Sequence, residues 1–317
     1  MIQSMNILIT GACGLIGTAL TKALRSHGHD VIGIDIRTNE HATLLDVRDI
    51  KPCTPVFHGI AGVIHLAAVS RVIDGERHPG LCRSVNVDGT RQILRAATAA
   101  RDRPWLIYAS SREVYGQQIT LPVPEHASLQ PMNTYARSKV DAENLVRAAA
   151  HAGLRAAIVR FSNVYGTHDD HATRVVPAFA RAAAHDLPLQ LEGASNTFDF
   201  THVDDVVGGV SLLAELLHHS KEAPDPIHFV SGNRTSLEQL ACTAIREAAA
   251  SSPIIRTAPR RFDVAHFCGD PRRAYAVLGW TASTPLQRGV AHLIAAFRHQ
   301  KTISHDSPDP KSIAKLP

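Results

Sequence analysis

Tyr135 and Lys139 stand four residues apart in Tyr135-Ala136-Arg137-Ser138-Lys139, so on a helix they share one face. A free phenol has a pKa of about 10 and is a poor base at neutral pH. An ammonium beside it stabilises the phenolate and lowers that value. Twenty-four residues earlier (135 − 111), Ser111 follows the apolar run Trp105–Ala109. At the carboxyl end of a strand, its hydroxyl could hydrogen-bond a substrate oxygen while Tyr135 removes the proton. Y-x-x-x-K alone also describes a surface pair on an amphipathic helix, so the reading needs a second feature.

The glycine loop supplies it. Gly11-Ala12-Cys13-Gly14-Leu15-Ile16-Gly17 follows the apolar run Asn6–Thr10 and opens an amphipathic segment, Thr18–Ser26. Strand, glycine turn and helix form a cradle for a dinucleotide pyrophosphate. The glycines allow a tight turn and close approach, and the free N–H groups at the helix start face negative charge. The second strand run ends at Asp35, 18 residues (35 − 17) beyond the loop. A carboxylate there accepts hydrogen bonds from both ribose hydroxyls and repels a 2′-phosphate, which favours NAD over NADP. Arg37, two residues on, keeps NADP open. Asp46 could meet the adenine amino group or stand as a solvated loop charge. Leu66-Ala67-Ala68 ends another strand with residues small enough for close backbone approach. With a nicotinamide in place, Lys139 can also hold its ribose, and hydride can leave the carbon that Tyr135 deprotonates.

Behind these residues, short apolar runs alternate with helix-length spacers. Strands are expected at Asn6–Thr10, Asp30–Ile34, Gly62–Leu66, Trp105–Ala109, Ala156–Phe161 and Pro226–Val230, and helices at Thr18–Ser26, Asn86–Ala100 and Tyr135–His151. Strands buried on both faces and separated by helices predict an α/β fold, a doubly wound parallel sheet. After Gly166 the rhythm changes. Helices are expected at Val175–His185, Asp204–Leu217, Ser236–Ala250 and Pro285–Arg298, with extended runs at Leu187–Leu191 and Phe198–Val203. The polar stretch from Gln300 to Pro317 reads as a disordered tail.

Composition excludes several classes. The net charge of +4 is spread without a basic block, so no nucleic-acid footprint is expected. No run of 18 apolar residues is present, so no membrane span is expected. No signal peptide is expected ahead of the first strand, and the five cysteines lack C-x-x-C spacing. Reduced thiols in a cytoplasmic protein are the expectation. Its 19 histidines show no ligand spacing, and no metal site is expected.

The chain resembles the extended short-chain dehydrogenase/reductase family, in its NAD-dependent sugar epimerase/dehydratase branch. The likeness rests on the G-x-x-G-x-x-G loop, Asn86-Val87-Asp88-Gly89-Thr90, Val114-Tyr115-Gly116, Arg160-Phe161-Ser162-Asn163-Val164-Tyr165-Gly166, Phe200-Thr201-His202-Val203-Asp204-Asp205-Val206 and Leu278-Gly279-Trp280. It runs from about Met5 to about Phe297. The resemblance implies a Rossmann-type NAD domain at 1–166, with strand and helix returning from about 204–232. A smaller mixed α/β substrate lobe would occupy 167–203 and 233–299. It implies a cofactor set of Gly11, Cys13, Gly14, Leu15, Ile16, Gly17, Asp35, Ile36, Arg37, Asp46, Val47, Leu66, Ala67, Ala68, Asn86, Ser110, Tyr135 and Lys139. The implied substrate set is Ser70, Ser111, Arg112, Glu113, Asn163, Arg174, Phe198 and Arg272. It also implies a nucleoside-diphosphate sugar as substrate, oxidised first at carbon 4, and a homodimer through the helices around Asn86–Ala100 and Tyr135–His151.

Two departures bear on the outcome. Ser110-Ser111-Arg112-Glu113-Val114-Tyr115-Gly116 carries a glutamate where many 4-epimerases have small residues. Glu113 resembles the carbon-5 base of 4,6-dehydratases and the glutamate of decarboxylases, but Arg112 stands where dTDP-glucose dehydratases carry an aspartate. Phe198-Asp199-Phe200 replaces the family's Arg-Asp-Phe, and an apolar ring cannot replace a guanidinium for phosphate recognition. Arg272, Arg273, Arg260 or Arg261 could compensate. Epimerisation, dehydration and decarboxylation therefore stay open. So does a dehydrogenase or reductase of a small non-nucleotide hydroxy substrate. A non-catalytic NAD sensor on this fold is the reading that intact Ser111, Tyr135 and Lys139 oppose.

Overall fold

The computed structural model describes residues 4–299 except 41, 169, 261 and 263. The expected tail at 300–317 and Arg261 lie outside the described residues. The first half of the chain runs β1 (Asn6–Thr10), α1 (Leu15–Ser26), β2 (Asp30–Asp35), β3 (Thr43–Leu44), β4 (Gly62–His65), α2 (Val72–Arg77), α3 (Pro79–Arg83), α4 (Thr90–Ala99), β5 (Trp105–Ser111), α5 (Thr134–His151) and β6 (Ala156–Phe161). The second runs β7 (Asn163–Tyr165), α6 (Val175–Ala184), β8 (Leu189–Glu192), β9 (Thr197–His202), α7 (Val203–His219), β10 (Ile227–Phe229), β11 (Arg234–Ser236), α8 (Leu237–Ala248), β12 (Ile254–Thr257), α9 (Arg272–Leu278) and α10 (Leu286–His299).

Seven strands form the main sheet in the order β10-β6-β5-β4-β1-β2-β3, every pair parallel. Period-two alternation explains why it is doubly covered. Ile7 and Ile9 of β1, with Trp105, Ile107 and Ala109 of β5, pack on one face against Leu20 and Leu24 of α1 and Val206, Val210 and Leu213 of α7. Leu8, Leu106 and Tyr108 pack on the other, against Ile93 and Ala97 of α4 and Ala142 and Val146 of α5. The carboxyl ends of the strands share one edge, where open α/β sheets hold their ligands.

The remaining strands build a smaller lobe. β11-β9-β7 form a three-stranded sheet and β12-β8 a pair, packed with α6, α8 and α10 around Phe179, Leu189, Phe200, Leu240 and Leu293. β7 leaves the main sheet to pair with β9 only two residues after β6 ends, while β10 comes back to pair with β6. The expected boundary at 166 therefore lies just past a strand of the smaller lobe. The sequence pattern also passed over β3, β7, β11 and β12, all of four residues or fewer.

One charged pair secures the sheet to α5. Arg160 on β6 donates to both oxygens of Glu143, at 2.8 and 2.6 Å, and its remaining nitrogen donates to the Tyr115 hydroxyl and the Glu125 carbonyl. Both partners are at most 1% exposed. Removing one partner leaves an uncompensated buried charge, at a cost of about 3–5 kcal/mol. Glu143→Ala is expected to lower the unfolding free energy by about that amount, measured from the midpoint of urea unfolding followed by circular dichroism.

Candidate active site

At the carboxyl edge of β1 the chain turns at Gly11, whose φ is +72° and where a Cβ would lie 2.7 Å from the Ala67 nitrogen. A Cβ on Gly17 would stand 2.2 Å from the Gly11 carbonyl oxygen, so only glycine lets α1 start this close to the turn. The N-terminus of α1 has no side-chain cap and no acidic residue in its first turn. Its N–H groups at Leu15, Ile16 and Gly17 are available to an anion, with the dipole favouring negative charge. Asp35, at the end of β2, is held by two backbone donors, Cys13 N–H at 3.0 Å and Arg37 N–H at 2.9 Å. The Arg37 guanidinium donates to the Cys13 carbonyl at 2.9 Å, so it is drawn toward the loop rather than held out for a 2′-phosphate. Ile36 is exposed beside it. These features fit a dinucleotide with free ribose hydroxyls.

A cavity of about 680 Å³ extends from this loop into the smaller lobe. It is lined by Gly11, Gly14, Leu15, Ile16 and Gly17, by Leu66, Ala68 and Ser70, and by Ser110, Ser111, Arg112 and Glu113. Tyr135 and Lys139 follow on α5, then Asn163, Arg174 and Phe198 from beyond β6. Sequence reasoning therefore brings most of its residues to one place. Among the described residues, six cationic side chains line the cavity against two carboxylates, Glu113 and Glu192. That imbalance suits a polyanionic occupant.

Asn133 caps α5 by accepting from the Ala136 N–H at 2.8 Å, and the helix then presents Tyr135 and Lys139 on its buried face. Ser111 accepts from the Glu113 N–H at 3.2 Å, which aims its hydroxyl while leaving its proton to donate. Burial pushes Tyr135 up to about 12, against the lowering influence of Ser111 and, further out, Arg174. Burial takes Lys139 down to about 8. Burial, rather than the neighbouring ammonium, dominates the phenol here. The Lys139 ammonium donates to the Ala109 carbonyl at 2.8 Å and lies 5.9 Å from the Tyr135 ring centre. Desolvation outweighs an attraction aimed elsewhere.

Several expected residues stand apart from the cavity wall. Asn86 is buried and grips the backbone of Val69 at both ends, accepting its N–H at 2.8 Å and donating to its carbonyl at 3.1 Å. It shapes the loop that carries Leu66, Ala68 and Ser70 instead of lining the cleft. Ala67 likewise is fixed from behind, its N–H donating to the Thr10 hydroxyl at 3.1 Å. Asp46 pairs with Arg48 at 2.6 Å, and Val47 is buried. Arg272 is not among the residues that line the cavity; its guanidinium is tied to both oxygens of Asp270 and its side chain is 87% exposed. Arg273 donates to the Pro226 carbonyl. Arg260 does line the cavity, together with Arg71 and Arg181, which sequence reasoning missed. Arg181 lies seven residues after Arg174, two helical turns on, a spacing that could have flagged it.

Glu113 and Arg112 take unexpected roles. The Glu113 carboxylate receives Arg112 Nη2 at 2.8 Å on one oxygen and Asn133 Nδ2 at 3.0 Å on the other. Arg112 Nε donates to Asn163 at 2.9 Å, and its guanidinium lies 4.5 Å over the Phe198 ring. Phe198 is thus the platform for a cation from another segment.

A doubly wound sheet with a glycine cradle and Ser111, Tyr135 and Lys139 at one edge defines an extended short-chain dehydrogenase/reductase. Residues 7–230 match the NAD-dependent epimerase/dehydratase family, and the chain belongs to it. The UDP-glucose 4-epimerase of Mycolicibacterium smegmatis is 30% identical over 319 aligned positions, covering 93% of this chain and 99% of that one. MoeE5, solved with UDP-glucuronic acid and NAD, is 27% identical with a TM-score of 0.84, covering 92% and 99% of the two chains. TunA, an NAD-dependent NDP-hexosamine 5,6-dehydratase, is 27% identical with a TM-score of 0.85, covering 94% and 99%. Asp35→Ala is expected to weaken dinucleotide binding about tenfold or more, checked by calorimetric titration.

Proposed function

We propose that the protein is an NAD-dependent nucleotide-sugar 4-epimerase. NAD, bound along the glycine loop, supplies a reversible hydride acceptor at a secondary alcohol carbon. Tyr135 takes the proton of the carbon-4 hydroxyl, and Ser111 holds the same oxygen by a donated hydrogen bond. Lys139, close to the strand end at Ala109, holds positive charge on the cofactor side of the cavity. After the sugar ketone turns over, the hydride would return to the opposite face of carbon 4 while Tyr135 gives the proton back to the same oxygen. The excess of cationic side chains supports a substrate that carries a diphosphate, with Arg181 and Arg260 on the smaller lobe as its holders.

The observation that carries epimerisation over water loss is the state of Glu113. Both its oxygens are engaged, one by a guanidinium and one by a carboxamide. These two donors tie the carboxylate to Arg112 and to the start of α5, which fits a structural brace better than a group that moves to take a carbon-bound proton. A homodimer through α4 and α5 belongs to the same reading, although their outer surfaces, with Arg95, Arg137, Asp141 and Asn144, are polar. Cytoplasmic residence does too, supported by five cysteines without a disulfide. No described helix is long and apolar enough to cross a membrane.

The test is a panel of UDP and dTDP sugars followed by NMR and mass spectrometry. An unchanged mass with altered carbon-4 coupling constants is expected, without net formation of NADH. Loss of water or carbon dioxide would overturn the epimerase reading, and steady NADH release would favour a dehydrogenase. Tyr135→Phe is expected to reduce kcat by about 100- to 10,000-fold. Glu113→Gln is expected to retain carbon-4 oxidation.

A further inference from the structure

We infer that Glu113 and Arg112 are positioning residues for Tyr135: Glu113 fixes the start of α5 through Asn133, and Arg112 masks the Glu113 charge from the Tyr135 phenol. The inference rests on the reading of Tyr135 as the proton-transfer group.

The brace is continuous. Asn133 joins two tasks, its oxygen capping α5 and its nitrogen donating to Glu113 at 3.0 Å. Tyr135 follows two residues later, inside the turn that this cap sets. On the other side, Glu76 of α2 accepts the Thr134 N–H at 2.7 Å. The first turn of α5 is thus gripped by a carboxylate from each flank. Both favour the positive end of the helix dipole. Glu113, however, also faces the phenol, and its negative charge opposes ionisation of Tyr135.

Arg112 answers that conflict. Its Nη2 pairs with Glu113 at 2.8 Å, which turns a bare charge into a dipole. Its Nε is fixed by Asn163, and Phe198 of β9 supports its plane. The guanidinium is therefore anchored in the smaller lobe while it acts on the first turn of α5. The residue is 8% exposed, and its Nη1 is buried with no hydrogen-bond partner. Unpaired buried donors are rare in folded proteins, and where one persists it calls for a reason beyond packing. The other groups facing the phenol are Ser111 from the same turn, Tyr108 on β5, Arg174 ahead of α6, Cys82 on α3 and Lys139 on α5 itself.

The experiment uses the holoenzyme and two readouts. One is the pH dependence of kcat for epimerisation. The other is phenolate ultraviolet absorbance, with the Tyr135 part isolated by subtracting Tyr135→Phe. Arg112→Met unmasks the carboxylate and is expected to move the acid-side limb of kcat, and the phenolate titration, up by about one pH unit. Glu113→Gln removes the charge and is expected to move both down by a similar step. Arg112→Lys keeps a positive charge but loses the Asn163 bond and the stack on Phe198, and is expected to move both curves up by less than Arg112→Met does. Variants that lower kcat without moving either curve would overturn the inference and leave a purely structural role. If Arg112→Met fails to fold by circular dichroism, the downward shift of Glu113→Gln decides alone. A shifted phenolate titration without turnover of any nucleotide sugar would sink the epimerase reading and leave this one standing.

Discussion

Helix α5 carries its chemistry on a face that water does not reach, and everything at the strand edge follows from that. Tyr135, Lys139 and Glu143 recur every four residues, and all are buried. Each needs a partner supplied by the sheet or cleft, because a buried charge without one is driven to neutrality. Lys139 donates to the Ala109 carbonyl of β5, and Glu143 takes Arg160 on β6. The helix cannot slide or turn without breaking both. Its first turn is thereby set over Ser111, the position from which a proton on a hydroxyl can be reached.

The same burial drives the two active groups apart on the pH scale, Tyr135 up to about 12 and Lys139 down to about 8. The phenol is the firmer acid holder and the amine the looser one, the reverse of a solvated pair. Proximity alone does not activate the tyrosine. The balance is set by what else stands around it: a carboxylate at 113, a guanidinium that quiets it, and a cleft otherwise rich in positive charge.

Much of this could be read before any coordinates. β1 and β6 end where the apolar runs end, because strands covered on both faces need apolar residues at every position. The bounds of α5 fall within one residue of the expected start, since its cap and its buried stripe are both local signals. Short strands of the smaller lobe were invisible because three residues carry no period. The stack of Arg112 on Phe198 joins positions 86 apart (198 − 112), and no local pattern reports it. Phe198 looks like a lost phosphate ligand in the sequence; in the fold its ring seats a cation that arrives from β5. Arg272 shows the opposite limit. A partner two residues away, Asp270, takes its guanidinium, and motif position says nothing of such a neighbour.

The route of the chain through β10 couples the two lobes more tightly than their separate sheets suggest. The outermost strand beside β6 is contributed only after the polypeptide has built β7, α6, β8 and β9. During synthesis, β6 must therefore wait as an unpaired edge, with its backbone donors and acceptors exposed, until more than sixty further residues have been made (227 − 161 = 66). A nascent dinucleotide half is an incomplete sheet, and its closure depends on the half that comes later. The same later stretch of chain thus supplies both the smaller lobe's wall of the cleft and the last strand of the main sheet.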